Sequence, residues 1–213
     1  MMSPRTRRVG VLTIGQSPRP DLLEPLRVRL PADVAIIEAG ALDGHSPDDL
    51  PARAGAYPLT TRWRDGSPAT VDEAFLSPLV QTALEALQRG GADVVLLLCA
   101  GGFADLRPRG RLVRPFEAAV DALRDLGARR VGVVVPIDGQ SWPSQRKWRL
   151  AGFEPTVVVG EPATIDIPAS IEALVLDFVG HPSEVVEAFR ARSPVPVVDL
   201  GEAGAAAAAA HFG

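Results

Sequence analysis

Cys99 is the chain's only cysteine, and it stands where a thiol could react. It ends the run Asp93–Phe103 (DVVLLLCAGGF), whose apolar core Val94–Leu98 predicts a buried strand. In open α/β sheets the carboxyl ends of such strands border the ligand crevice. Ala100, Gly101 and Gly102 follow, small enough for backbone amides to face the sulfur. A thiolate so placed is a nucleophile or a proton-transfer base. The competing expectation is a small core hydrophobe, the usual fate of a lone cysteine.

Two polar turns could hold the charged end of a substrate. Gly15-Gln16-Ser17-Pro18-Arg19-Pro20-Asp21 follows a predicted strand, and Gly139-Gln140-Ser141 follows another. Amide, hydroxyl and guanidinium groups beside a helix N-terminus suit a small anion or carboxylate. An ordinary strand–helix loop with a surface arginine fits the first turn as well. Neither turn carries GxGxxG or the phosphate-loop lysine, so no nucleotide is expected. His45, His181 and His211 lack ligand spacing, and neither a metal nor another cofactor is expected. His181, just before Pro182, suits a helix cap. Arg107, Arg109, Arg111 and Arg114 form a basic loop, either solvated or steering an acidic ligand.

These groups need elements to position them. Val9–Ile14 and Val34–Glu38 read as strands, with a loop from Gly40 to about Ala54. Asp65-Gly66 between Pro58–Arg64 and Ala69–Val71 predicts a β-hairpin. Ser77-Pro78 predicts a helix start, with Leu76, Leu79, Val80, Ala83, Leu84 and Leu87 as its buried stripe. Phe116, Val120 and Leu123 mark another helix, closed by Gly127, and the Ala205–Ala210 run favours a last one.

The sequence then repeats itself. Arg7-Arg8-Val9-Gly10-Val11 recurs as Arg129-Arg130-Val131-Gly132-Val133, and the Gly-Gln-Ser turns recur in the same order. Ala92–Gly101 pairs with Ile171–Gly180, which sets Cys99 against Phe178 and Gly101 against Gly180. Matching repeats in matching order predict a duplicated α/β fold, each half running βαβαβ and then a strand or turn and a helix. The expected lobes are 1–126, with the hairpin inserted near 58–71, and 127–200, with 201–213 as a helix packed on the sheet. Four loops, at Gly15–Arg19, Cys99–Gly102, Gly139–Ser141 and Phe178–His181, are then expected to line one cleft.

Composition narrows the function classes. The chain has 213 residues, 46% apolar and 23% charged, enough for a substantial core. A single cysteine allows no internal disulfide, and the opening MMSPRTRRVGVLTIG is too short in apolar residues for a signal peptide. The net charge of −4 argues against nucleic acid, and no segment approaches the roughly 18 apolar residues of a membrane span. A cytoplasmic protein is expected, with a homodimer admitted.

Leu12–Asp21 (LTIGQSPRPD), the hairpin segment and Val131–Pro136 (VGVVVP) resemble the AroM family, within the aspartate/glutamate racemase superfamily. The resemblance implies two similar lobes related by a pseudo-twofold axis, with the site between them. Racemases of that superfamily carry a cysteine after a strand in each lobe, because a single base returns a proton only to the face it came from. Here the first position is Cys99 and the second is Phe178, which argues against a two-cysteine racemase. The resemblance makes Cys99 and His181 the catalytic candidates. Gln16, Ser17, Arg19, Ala100, Gly101, Gln140, Ser141, Phe178, Val179 and Gly180 are the substrate-binding candidates. It implies a racemase, isomerase or decarboxylase-like enzyme using one cysteine. The rival is a non-catalytic small-molecule-binding or regulatory protein.

Overall fold

The computed structural model describes residues 6–51 and 58–213. The expected loop from Gly40 to about Ala54 therefore extends beyond the described residues. The described residues form two four-stranded parallel sheets and one hairpin.

The first sheet contains β1 (Arg7–Thr13), β2 (Val34–Gly40), β5 (Val94–Leu98) and β6 (Arg111–Val113), in the order β2-β1-β5-β6. Between them lie a short α1 (Glu24–Arg27), the hairpin β3 (Pro58–Arg62) and β4 (Pro68–Asp72), and the long α2 (Glu73–Arg89). The second sheet contains β7 (Arg130–Val135), β8 (Glu154–Val159), β9 (Ala173–Leu176) and β10 (Val197–Asp199), ordered β10-β9-β7-β8. Its chain also carries α3 (Pro115–Asp125) before β7, α4 (Ser141–Leu150) after it, α5 (Ser183–Arg192) and α6 (Leu200–Ala209).

The two orders are the same when read from the repeated sequence. In each sheet the first strand is central, with the second on one side and the third and fourth on the other. The register agrees residue by residue. Val9 of β1 faces Val94 of β5, and its counterpart Val131 of β7 faces Ala173 of β9, the counterpart of Val94. Each sheet also opens on the same reciprocal tie. Arg8 N donates to Asp93 Oδ2 (2.7 Å) while Asp93 N donates to Arg8 O (2.8 Å). Arg130 N donates to Glu172 Oε2 (2.9 Å) while Glu172 N donates to Arg130 O (2.7 Å). The duplication is thus a duplication of backbone pairing.

Continuous apolar strands imply cover on both faces. All five residues of β5 and all four of β9 are buried. The α2 stripe of Leu76, Val80, Ala83, Leu84 and Leu87 packs into one core with Leu12, Val95, Leu97 and the hairpin residues Ala69 and Val71. In the second sheet Val134, Leu174 and Leu176 pack with Val186 and Phe189 of α5.

Two local expectations are corrected. Helix α2 begins at Glu73, not at Ser77-Pro78. Asp72 caps it by accepting from Ala74 N (2.9 Å), so Pro78 lies inside the helix. A carboxylate at the N-cap satisfies a free amide that proline could only avoid exposing. The second half also lacks the helix expected between its second and third strands. After Gly160, at φ 148°, that connection holds Pro162 and Pro168 and forms no helix.

By contacts the chain divides into two compact units: the chain up to Arg114 together with Ala205–Gly213, and Pro115–Gly204. Helix α3 goes with the second unit, where Phe116 meets the Trp148 ring edge-on at 4.8 Å. Ala205, Ala208, Ala209 and Phe212 are buried at helical spacing, so even an alanine run has an inner face. Phe212 completes the first unit: Arg7 Nη1 donates to its carbonyl (3.0 Å), and the guanidinium lies over its ring.

Candidate active site

In the first unit, β1 and β5 are neighbours, so the turns at their carboxyl ends are neighbours too. Cys99 closes β5 and is 7% exposed. Its sulfur accepts a hydrogen bond from the backbone N–H of Gly101, at 3.2 Å. Such a donor stabilises a thiolate, while burial works against the charge. A side chain at 101 would crowd this arrangement: a Cβ there would lie 3.3 Å from Cys99 Sγ and 3.3 Å from the Phe103 ring. Phe103, at φ 42°, turns the chain back in the left-handed region.

Glu73 joins this loop, and the sequence did not single it out. Its carboxylate accepts from Phe103 N at 3.3 Å. Burial, with the nearby charges of Asp72 and Asp105, pushes the Glu73 carboxyl above the usual glutamate range; the Phe103 amide opposes this only in part.

The Gly15–Arg19 turn is bound to its own unit. Gln16 Nε2 donates to Leu42 O (3.3 Å) and His45 O (2.9 Å), and Gln16 Oε1 accepts from Arg64 N (2.9 Å). Ser17 gives both its amide (2.8 Å) and its hydroxyl (2.7 Å) to Asp43, which also accepts from Gly40 N. Arg64 Nε donates to Ser17 O (2.9 Å). Arg19 forms a two-pronged pair with Asp21 at 2.9 and 2.7 Å, which holds the Asp21 carboxyl below the usual range. The structure brings Gln16 and Ser17 together with Asp43 and Arg64, and these side chains link the first strand end to the hairpin.

The basic loop is divided by the sheet. Arg111 pairs with Val94, at the amino end of β5, so this strand enters opposite Cys99. Arg107 and Arg109 are exposed, and Arg107 N donates to Gln81 of α2 (2.9 Å).

In the second unit, β7 and β9 are the central pair. Asp177 follows β9 and is buried, receiving Lys147 Nζ (2.7 Å), Trp148 Nε1 (3.0 Å) and the Ser144 hydroxyl, all from α4. Lys147 also sits 4.7 Å from the Phe116 ring centroid. This polar knot fastens α4 to the sheet. Gln140 and Ser141 are half-buried, and Ser141 Oγ donates to Asp138 at 3.4 Å. Beside them Trp142 is 64% exposed.

Phe178, Val179, Gly180 and His181 are all half-buried. The His181 ring packs edge-on to Phe178, with centroids 5.3 Å apart, and to Phe189 at 6.3 Å. Its Nδ1 lies 3.0 Å from Asp199 Oδ2. Asp199, at the carboxyl end of β10, was not singled out from the sequence. The pattern Asp199-x-x-Glu202 does signal a helix start, since Glu202 N donates to Asp199 Oδ1 (2.9 Å), but it carries no hint of a histidine. Among the described residues no group of three or more His, Cys, Asp or Glu side chains is placed to hold a metal ion. Among them, too, no helix is long and apolar enough to cross a membrane.

Comparison with known proteins adds three findings. A family model described as AroM protein matches residues 9–210. No curated protein matches the sequence. Solved structures do match in fold. The maleate isomerase Iso from Pseudomonas putida S16 is 17% identical with a TM-score of 0.66, covering 98% of this chain and 93% of that one. Arylmalonate decarboxylase is 19% identical with a TM-score of 0.63, covering 97% and 92%. A maleate cis-trans isomerase from Nocardia farcinica is 17% identical with a TM-score of 0.57, covering 93% and 89%; its structure holds a covalently bound succinylcysteine intermediate. At these identities the likeness is one of fold, and it spans most of each chain.

Proposed function

Since the chain belongs to the AroM family, we propose that it is a cofactor-independent isomerase or decarboxylase of small carboxylates in which Cys99 is the reacting group. The observation that carries this reading is the Gly101 N–H aimed at Cys99 Sγ from 3.2 Å, at the end of the interior strand β5. The similar solved structures include isomerases and a decarboxylase, and one of them holds a carboxylate bonded to a cysteine.

One thiol suits some of these reactions better than others. Loss of CO2 from a malonate-like carboxylate leaves an electron pair on the α-carbon. The Cys99 thiol gives its proton to that carbon, and solvent returns a proton to the sulfur. Addition of the thiolate to an activated double bond, rotation and elimination likewise needs one sulfur. Racemisation needs a proton group on each face, and Phe178, which stands where the repeat would place a second cysteine, has none. Within the second unit, His181 is the candidate proton-transfer group. Gln140 and Ser141 are the carboxylate-binding candidates of the second unit, because their counterparts Gln16 and Ser17, with Arg19, already serve internal partners in the first.

The test is a panel of malonates, unsaturated dicarboxylates and α-hydrogen carboxylates in D2O, following CO2 release, cis-trans conversion and deuterium uptake. At least one member is expected to turn over, with roughly a 10²–10⁴-fold loss in Cys99→Ser. A second reading, a non-catalytic binding protein, is favoured by the burial of Cys99 and by Phe178. Absence of turnover across the panel, together with a folded-state thiol that resists alkylation, would establish that reading instead.

A further inference from the structure

The geometry points to Asp199 as a positioning residue that sets which nitrogen of His181 is free to take a proton. This rests on the reading of His181 as a proton-transfer group.

Asp199 is 4% exposed on its side chain and His181 14%, so the pair is largely withdrawn from water. The two Asp199 oxygens have different duties. Oδ1 accepts from Glu202 N, at the start of α6, and Oδ2 faces His181 Nδ1 at 3.0 Å. A carboxylate only accepts, so the neutral imidazole must carry its hydrogen on Nδ1. Nε2 is then the bare nitrogen, and among the described residues it makes no hydrogen bond. The ring cannot easily turn away, since Phe178 and Phe189 meet it edge-on. A histidine held by a carboxylate at one nitrogen and bare at the other is an oriented base. A helix cap would need only Oδ1.

The two duties can be separated with one atom. In Asp199→Asn the amide oxygen keeps the bond from Glu202 N, which leaves the NH2 facing His181. The NH2 can only donate, so Nδ1 becomes the acceptor and the hydrogen moves to Nε2. Helix α6 keeps its cap while His181 loses its bare outer nitrogen.

The experiment is 15N NMR of the imidazoles of the intact protein at a pH where they are neutral. The signals of the three histidines are assigned through His45→Gln, His181→Gln and His211→Gln. Wild-type His181 is expected to carry its proton on Nδ1, and Asp199→Asn to carry it on Nε2 with an unchanged unfolding midpoint. A wild-type Nε2–H tautomer, or a tautomer that Asp199→Asn leaves in place, would overturn the assignment. Should Asp199→Asn fail to fold, the wild-type tautomer alone decides. With a substrate from the panel above, Asp199→Asn is expected to lower kcat at least tenfold with KM little changed. A panel that yields no substrate sinks the enzymatic reading and leaves the tautomer result standing, so the two failures are distinguishable.

Discussion

Glu73 accepts the backbone N–H of Phe103 at 3.3 Å, and this one bond ties the first turn of α2 to the loop that follows Cys99. Among the described residues Phe103 is the non-glycine residue found in the left-handed region, and its ring lies beside Gly101, whose amide reaches the sulfur. The acidic residue that opens a helix thereby supports the turn around the thiol, two steps removed.

The raised Glu73 carboxyl gives a pH-dependent prediction. Its folded value lies above its unfolded one, so its contribution to stability is fully present below the unfolded glutamate value. It is lost as the pH rises through the folded value. Glu73→Gln keeps an acceptor for Phe103 N and removes the charge. Wild type should therefore lose stability relative to Glu73→Gln across that acidic window, with a constant gap at higher pH. Denaturant unfolding of both proteins over the range measures it, and a gap of opposite sign would refute the burial argument.

Asp177 should be among the costliest side chains to truncate. Asp177→Ala strips the acceptor from Lys147, Trp148 and Ser144 at once and leaves a partly buried ammonium. A loss of about 3 kcal/mol in unfolding free energy is expected. The double variant Asp177→Leu with Lys147→Met should regain part of it, because the ammonium goes together with the carboxylate it met.

The two glutamines of the repeated turns should separate. Gln16→Ala removes three hydrogen bonds and is expected to cost about 2 kcal/mol of stability. Gln140→Ala should stay within about 0.5 kcal/mol of wild type and weaken carboxylate binding. Equal stability losses would show that the turns are equivalent structural pieces.

Gly15 is a test of close approach. A Cβ there would stand 2.3 Å from Thr61 Oγ1 and 2.4 Å from the Arg62 carbonyl, and the backbone oxygen cannot swing aside. Gly15→Ala should lower stability by roughly 1–3 kcal/mol and displace the hairpin. Faster proteolysis within Pro58–Asp72 would report that displacement.

What could be read from the sequence was what local chemistry determines. Val94–Leu98 announces a buried strand because a short apolar run with β-branched residues and a glycine stop suits a strand covered on both faces. The Arg-Arg-Val-Gly-Val repeat announces the duplication because each copy must make the same pairings. The start of α2 was misread because Ser77-Pro78 and Asp72-Glu73 both meet the local rules for a helix end, and only packing chooses between them. The polar turns were ambiguous for a different reason. A glutamine at a strand end looks the same whether it awaits a ligand or meets Leu42, His45 and Arg64, which lie 26, 29 and 48 residues away. Asp199 was hidden likewise: its partner His181 is 18 residues distant, and no spacing rule connects them.

The assignment of Ala205–Gly213 to the first unit bears on the order in which the protein can be made. The ribosome delivers β1 before the rest of the sheet, yet the Phe212 carbonyl and ring that Arg7 engages arrive only after β10 has been synthesised. The nascent first sheet must wait, with Arg7 lacking its Phe212 contacts, while the whole second unit is translated. At about 5–20 residues per second the wait lasts several seconds. During it, the incomplete first unit is the form that chaperones and proteases would meet.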